Sequence, residues 1–207
     1  MLGELTVEDM VKMVTGSGLS TIPSVSYPSM FMKDGPQGNN MRSYVEDGTS
    51  ATGFCGEVVR ASTFNKDLIR RAGDAMGEDW LRTDTEGAYT PAVNIHRTPY
   101  AGRNFEYYSE DGFLAGELAN EEVIGMQEKG AICYIKHFVM NDQETNRIGI
   151  CTFSNEQAIR EIYLKAFEKA FVEGKTKGTM GSFNRIGCTW SGAHSGLMTG
   201  IVRGEWG

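Results

Sequence analysis

The chain has 207 residues, which is enough for one globular domain or for part of a larger one. Lys and Arg number 20 and Asp and Glu number 27, so the formal net charge is −7, which argues against a general affinity for nucleic acid or anionic membranes. Hydrophobic residues make up 40% and charged residues 23%, a composition that supports a buried core and excludes a disordered chain.

Short apolar runs alternate with longer helical patterns along the chain. A continuous apolar run such as 131–135 is typical of a strand buried on both faces. In chain order we predict a helix over 5–14, a strand over 29–33, a glycine-rich irregular stretch to residue 62, a helix capped by Asn65, a strand over 89–95, a helix from Ser109 to Gly130, a strand over 131–135, a helix over 154–173, a strand over 178–183 and a helix over 192–203.

The clearest helix covers 154–173. Ser154 and Gln157 form a capping-box pattern at its start, and Gly174 is suited to its C-terminal cap. Its apolar residues recur every three or four positions, which predicts a face packed on the core. Strand and helix alternate four times in all, so we predict an α/β fold with a parallel sheet and flanking helices.

Polar side chains follow each predicted strand. They include Asp34 after the first strand, Arg103 after the second, Lys136 and His137 at the end of the third, and Asn184 after the fourth. Because the carboxyl ends of parallel strands converge on one side of a sheet, these residues predict a single polar cleft.

Each of these residues also has a purely structural interpretation. Asp34 begins the turn Asp-Gly-Pro, Arg103 and Glu106 are spaced for an ion pair, and His137 suits a hydrogen-bonded position in the core. Cys188 and His194 lack a third group to orient them, which disfavours a nucleophile pair. The segment 15–18 lacks a full phosphate-loop pattern and is predicted to be a loop.

A series of motifs in this order resembles glycoside hydrolase family 3, and in particular the N-terminal barrel domain of its β-glucosidase members. The resemblance covers essentially the whole chain. It implies a partial (β/α)8 barrel of the TIM type over 1–207, containing roughly the first half to two-thirds of the strand–helix units. The motifs are DGP (34–36), GRNFEYYSED (102–111), KHF (136–138), NDQE (141–144), NEQAIREIYLKAFE (155–168), MGSFNRIG (180–187) and EWG (205–207).

The resemblance implies a binding site for the terminal sugar. Asp34 matches the aspartate that accepts hydrogen bonds from sugar hydroxyls, and a group of hydrogen-bonding and wall residues matches the rest of that site. Phe183 stands where the motif commonly has tyrosine, and Arg42 lies farther from Asp34 than the family's arginine does. The implied substrate-binding residues are Asp34, Arg103, Lys136, His137, Met180 and Phe183.

The resemblance also implies where catalysis occurs. It places the nucleophilic aspartate just beyond Gly207 and the glutamate acid/base on a second α/β domain, so the 207 residues contain neither group. We expect the N-terminal portion of a retaining β-glucosidase that is inactive by itself. Its partners would be a β-glucoside or oligosaccharide and the remaining part of the enzyme as a separate chain.

Other interpretations stay open. The chain could be a non-catalytic remnant that binds sugars or another chain, or a complete small enzyme that uses Glu106 or Glu144. A β-xylosidase also fits. A β-N-acetylglucosaminidase is disfavoured because the His-Asp loop of that subgroup is replaced by 138–141.

The cysteines and histidines predict neither disulfides nor bound metal. Cys55, Cys133, Cys151 and Cys188 are widely spaced without a Cys-x-x-Cys pair, and the three histidines lack metal-ligand spacing. The sequence has no apolar stretch near the length of about 18 residues that a membrane span needs. We therefore expect reduced thiols, a cytoplasmic location, no membrane or nucleic-acid partner and no cofactor or metal.

Overall fold

A computed structural model describes residues 2–15, 21–40 and 50–207. Arg42 and residues 16–18 of the predicted loop lie outside the described residues. The helices are α1 (Val7–Val14), α2 (Glu57–Ala61), α3 (Lys66–Arg82), α4 (Gly112–Glu128), α5 (Glu156–Ala158) and α6 (Lys165–Val172). The strands are β1 (Met32–Asp34), β2 (Gly87–Tyr89), β3 (Ile132–Phe138), β4 (Cys151–Thr152), β5 (Gly178–Gly181), β6 (Arg185–Ile186) and β7 (Thr189–Trp190).

The main sheet consists of parallel strands in the order β1-β2-β3-β5. Met32 pairs with Gly87, Ala88 with Cys133, and Lys136 with Met180. Parallel neighbours need long crossover connections, and the helices supply them between successive strands. This arrangement confirms the predicted α/β fold, and it brings the carboxyl ends of the strands to one edge.

The helices form a layer in which α3 packs on α4 and α4 packs on α6, while α4 and α6 also contact β3. Asn65 caps α3, as predicted, because its side chain accepts a hydrogen bond from the Leu68 N–H at 3.0 Å. Buried apolar side chains from these helices and from β3 form one core, which includes Met76, Leu118 and Phe167. The layer therefore holds the sheet from one side.

The α3–α4 contact depends on small residues. A Cβ atom on Gly73 would lie 2.6 Å from the Glu122 carbonyl oxygen, and one on Gly125 would lie 2.6 Å from the Arg70 carbonyl oxygen. Both atoms belong to the backbone of the facing helix, so a side chain at either glycine would force the helices apart.

The second predicted strand is the largest departure in the main sheet. The observed strand is Gly87–Tyr89 instead of 89–95, and only Ala92 forms an isolated parallel bridge, to Lys136. Pro91 has no N–H to donate, which interrupts the ladder. The Val93 N–H nevertheless donates to the Lys136 carbonyl at 2.8 Å, so the segment stays beside β3.

The helix predicted over 154–173 is confirmed with a different start and a different middle. Its cap is Asn155, whose side chain accepts from the Ala158 N–H at 2.8 Å, and not the predicted Ser154. A π-helical segment, Ile159–Leu164, connects α5 to α6. The last predicted helix is also π-helical, over Gly196–Glu205.

Several short elements have no clear signal in the sequence. The helix α2 lies in the stretch predicted to be irregular, and β4, β6 and β7 form a small separate sheet. The strands of that sheet are two residues long, too short to show alternation. Within the described part of the chain, no helix is both long and apolar enough to span a membrane.

We predict that Gly125→Ala lowers the free energy of unfolding by about 1–3 kcal/mol, because the added methyl group would press on the α3 backbone. Gly200→Ala is the matched control, since the nearest atom to its added Cβ is the Ser195 carbonyl oxygen at 4.0 Å. Urea unfolding of both variants gives the comparison. Equal stability of the two variants would contradict the described α3–α4 contact.

Candidate functional site

Asp34 is the last residue of β1 and begins a tight turn. The Asp34 carbonyl accepts the Asn40 N–H at 2.9 Å, and the Gly35 carbonyl accepts the Gly38 N–H at 3.0 Å. Gly35 lies against the Trp80 ring, since a Cβ there would be 2.0 Å from that ring, and Gly38 has a φ of +101°. The turn therefore requires both glycines and leaves the Asp34 side chain 60% exposed.

Lys136 reaches the same place from β3. Its side chain is 1% exposed, and its Nζ lies 2.8 Å from Asp34 Oδ1 and 3.8 Å from Glu106 Oε2. A buried ammonium is costly unless carboxylates surround it, and here two of them do. The prediction that Asp34 and Lys136 belong to one site is consistent with this geometry.

Arg103 and Glu106 complete the cluster from the loop between β2 and α4. Arg103 Nε donates to Glu106 Oε1, and Arg103 Nη1 lies 4.0 Å from Glu144 Oε1. Glu106 is buried, with its side chain 5% exposed. The pair is thus the ion pair that the spacing allowed, and it also lies beside Lys136.

A cavity of about 600 Å³ opens beside these residues. Two carboxylates, one ammonium and one guanidinium lie on its wall, so acceptors and donors alternate while the formal charges balance. A sugar hydroxyl can both donate and accept, which suits such a wall. The lining residues that bear charge are Asp34, Arg103, Glu106 and Lys136.

His137 is buried beside the cavity and is not part of its wall. The His137 N–H donates to Asn94 Oδ1 and the Asn94 amide donates to the His137 carbonyl, both at 2.9 Å. Nδ1 lies 3.1 Å from the Tyr107 hydroxyl. Burial lowers the pKa of His137 to about 2, and the charges of Arg103 and Lys136 act in the same direction.

A polar chain continues from Tyr107 to the surface. The Asn141 amide donates to the Tyr107 hydroxyl at 3.1 Å and to Glu144 Oε1 at 2.9 Å. Arg147 Nη1 donates to Glu144 Oε2 at 2.6 Å, and its guanidinium lies 4.7 Å from the centre of the Phe183 ring. The chain connects His137 to Phe183.

The remaining predicted residues are Met180 and Phe183. Met180 lies opposite Lys136 in β5 and is half-buried, and Phe183 is exposed, yet neither lines the cavity of Asp34. Arg147 was missed from the sequence, although its spacing of three residues from Glu144 was a signal for an ion pair. Within 2–15, 21–40 and 50–207, no group of three or more His, Cys, Asp or Glu side chains could hold a metal ion.

Comparison with known proteins shows the family. The model of the "Glycosyl hydrolase family 3 N terminal domain" matches residues 20–207. Beta-glucosidase A of Butyrivibrio fibrisolvens is 42% identical over 197 residues, which is 95% of this chain and 24% of that protein. An exo-alpha-(1->6)-L-arabinopyranosidase of Bifidobacterium longum is 35% identical over 214 residues, covering 99% of this chain and 28% of the relative.

A solved structure shows the same fold. Beta-glucosidase 3B from Thermotoga neapolitana, in complex with glucose, superimposes with a TM-score of 0.93 and is 39% identical. The match covers 100% of this chain and 32% of that protein. The chain therefore spans about a quarter to a third of the length of these relatives.

We predict that His137 stays neutral in the folded protein while it takes up a proton near pH 6.5 when unfolded. The unfolded state then binds more protons, so the stability from neutral His137 is complete above pH 6.5 and is lost as the pH falls toward 2. Below pH 6.5, wild type should lose about 1.4 kcal/mol per pH unit relative to His137→Gln. Denaturant unfolding at several pH values measures the free energy of unfolding of both proteins. If this free energy falls equally with pH in wild type and in His137→Gln, the prediction is contradicted.

Proposed function

Because the chain belongs to glycosyl hydrolase family 3, we propose that it forms the sugar-binding part of a retaining β-glucosidase that hydrolyses terminal β-D-glucosyl residues. The observation that carries the proposal is the Asp34–Lys136–Glu106 cluster on the wall of one cavity. The named β-glucosidases among the relatives and the glucose complex of a solved neighbour support the substrate class.

In this proposal Asp34 is the principal sugar ligand. Lys136 holds one carboxylate oxygen at 2.8 Å, and the side chain remains 60% exposed, so Asp34 is oriented while it can still accept hydrogen bonds from hydroxyls. Lys136 and Arg103 donate to hydroxyl oxygens. His137, Met180 and Phe183 complete the proposed sugar-binding residues, and none of the three lines the cavity of Asp34.

We propose further that residues 1–207 form a partial barrel and that the two catalytic carboxyl groups belong to other parts of the enzyme. A retaining pair stands about 5 Å apart across the scissile bond, one as nucleophile and one as acid/base. The resemblance assigns the nucleophilic aspartate beyond Gly207 and the glutamate to a second domain, which a separate chain could supply. The cytoplasmic location stays a prediction.

The alternative of a small enzyme that uses Glu106 or Glu144 has less support. Arg103 binds Glu106, and Arg147 and Asn141 bind the two oxygens of Glu144. A nucleophile needs a free oxygen aimed at the anomeric carbon. Carboxylates held by guanidinium groups suit a supporting role instead.

A second substrate class has one specific observation in its favour. The arabinopyranosidase relative is named for a pentopyranoside, a sugar that lacks the hydroxymethyl group of glucose. The same donor and acceptor wall would bind the ring hydroxyls that both sugars share. A pentopyranosidase, including a β-xylosidase, is therefore the second candidate.

We predict that Asp34→Ala weakens glucose binding by the chain about 10–150-fold, because a hydrogen bond to a charged group contributes about 1.5–3 kcal/mol. Asp34→Asn should lose less, since the amide keeps one acceptor. Asp67→Ala, on the exposed start of α3, is the control. NMR titration with glucose and with xylose gives the dissociation constants. If Asp34→Ala binds glucose as tightly as wild type does, Asp34 serves only to form the turn.

We also predict that the purified 207-residue chain does not hydrolyse 4-nitrophenyl β-glucoside or β-xyloside, since loss of either carboxyl group of a retaining pair costs orders of magnitude in rate. Glu106→Gln and Glu144→Gln serve as controls, because activity from a contaminating enzyme would persist in both variants. Turnover that disappears in one of these variants would refute the proposal and favour the small complete enzyme.

A further inference from the structure

A buried cluster of charged residues lies beneath the Asp34 turn and outside the cavity wall. Arg60 of α2 lies between Glu57 and Glu122, and all three side chains are 5% exposed or less. Arg60 Nη1 donates to Glu122 Oε2 at 2.5 Å, and Nη2 lies 3.5 Å from Glu57 Oε1. Thr90 and Tyr108 also donate to Glu122, so that carboxylate is well satisfied.

The same guanidinium contacts the turn that carries Asp34. Arg60 Nη2 donates to the Pro36 carbonyl oxygen at 2.5 Å. Pro36 is buried and lies two residues from Asp34, and the Asn40 N–H closes the turn by donating to the Asp34 carbonyl at 2.9 Å. One planar side chain therefore connects the turn to Glu122 of α4.

The cluster also fixes the segment after β2. Glu57 Oε1 accepts the Ala92 N–H at 3.1 Å. Burial and the neighbouring charge of Glu122 raise the pKa of Glu57 well above its usual range.

We propose that Arg60 is a positioning residue for Asp34, which it holds through the Pro36 carbonyl while Glu122 fixes the guanidinium. This inference rests on the proposed function insofar as Asp34 binds sugar. A buried ion pair adds little stability over apolar residues of similar size, so packing alone does not require one here. An arginine can serve both acceptors because its donors form a rigid fork, whereas a lysine offers a single ammonium.

The test separates positioning from stability by comparing three forms of the chain. Glu122→Gln keeps the Arg60–Pro36 bond. Arg60→Met/Glu122→Gln removes both charges together and leaves the Pro36 carbonyl without its donor. Arg70→Met/Glu128→Gln is the matched control, because Arg70 and Glu128 form a 2.5 Å pair between α3 and α4 near the surface.

Two readouts are needed, amide hydrogen exchange at Gly38 and Asn40 and the dissociation constant for glucose by NMR. In the Arg60 double variant we expect exchange at these amides to become about tenfold faster and glucose to bind about tenfold more weakly, since an orphaned buried carbonyl carries a penalty of this order. Glu122→Gln keeps Arg60 and an amide oxygen to accept from it, so its effect should be smaller than that of the Arg60 double variant, and the Arg70 double variant should change both values less than threefold.

Unchanged exchange at Gly38 and Asn40 in the Arg60 double variant would overturn the proposal. Faster exchange with unchanged glucose affinity would also overturn it, because the turn would then not position a sugar ligand. If the wild-type chain binds no glucose, the proposed function fails. The exchange rates still decide in that case whether Arg60 fixes the Asp34 turn.

Discussion

The buried ammonium of Lys136 is the constraint on which the site depends. It is 1% exposed, and the cost of burying its charge requires the carboxylates of Asp34 and Glu106 to lie close by. Asp34 ends β1 and Glu106 lies in the loop between β2 and α4, so the strand ends must converge for the lysine to be satisfied. The need to neutralise the buried charge of Lys136 therefore links the site to the parallel arrangement of the strands.

The helix layer makes that convergence rigid. Backbone-to-backbone contact at Gly73 and Gly125 brings α3 against α4, and α4 in turn carries Glu122 beneath the Asp34 turn. Arg60 transmits the position of Glu122 to Pro36. The packing of α3 on α4 is thus linked to the orientation of the exposed Asp34 carboxylate. The buried side chain of Arg60 makes the link.

Much of the architecture could be predicted from the sequence, because long helices and continuous apolar strands leave clear periodic signals. Asp34, Arg103 and Lys136 lie beside one cavity. This agrees with the rule that the carboxyl ends of parallel strands lie at the same edge of a sheet. Other features carry no such signal. The two-residue strands are too short for a pattern, and the Arg60–Glu122 pair joins residues 62 positions apart. Met180 and Phe183 do not line the Asp34 cavity, and their contact with the sugar stays a prediction.

The most direct test of the sugar-binding account is a crystal structure of the chain soaked with glucose. The account predicts the sugar in the cavity of Asp34, with hydroxyls within about 3 Å of the Asp34 carboxylate and of the Lys136 ammonium. It also predicts that the Lys136–Asp34 contact of 2.8 Å persists. Glucose bound elsewhere, or an Asp34 side chain turned away from Lys136 and from the sugar, would contradict it.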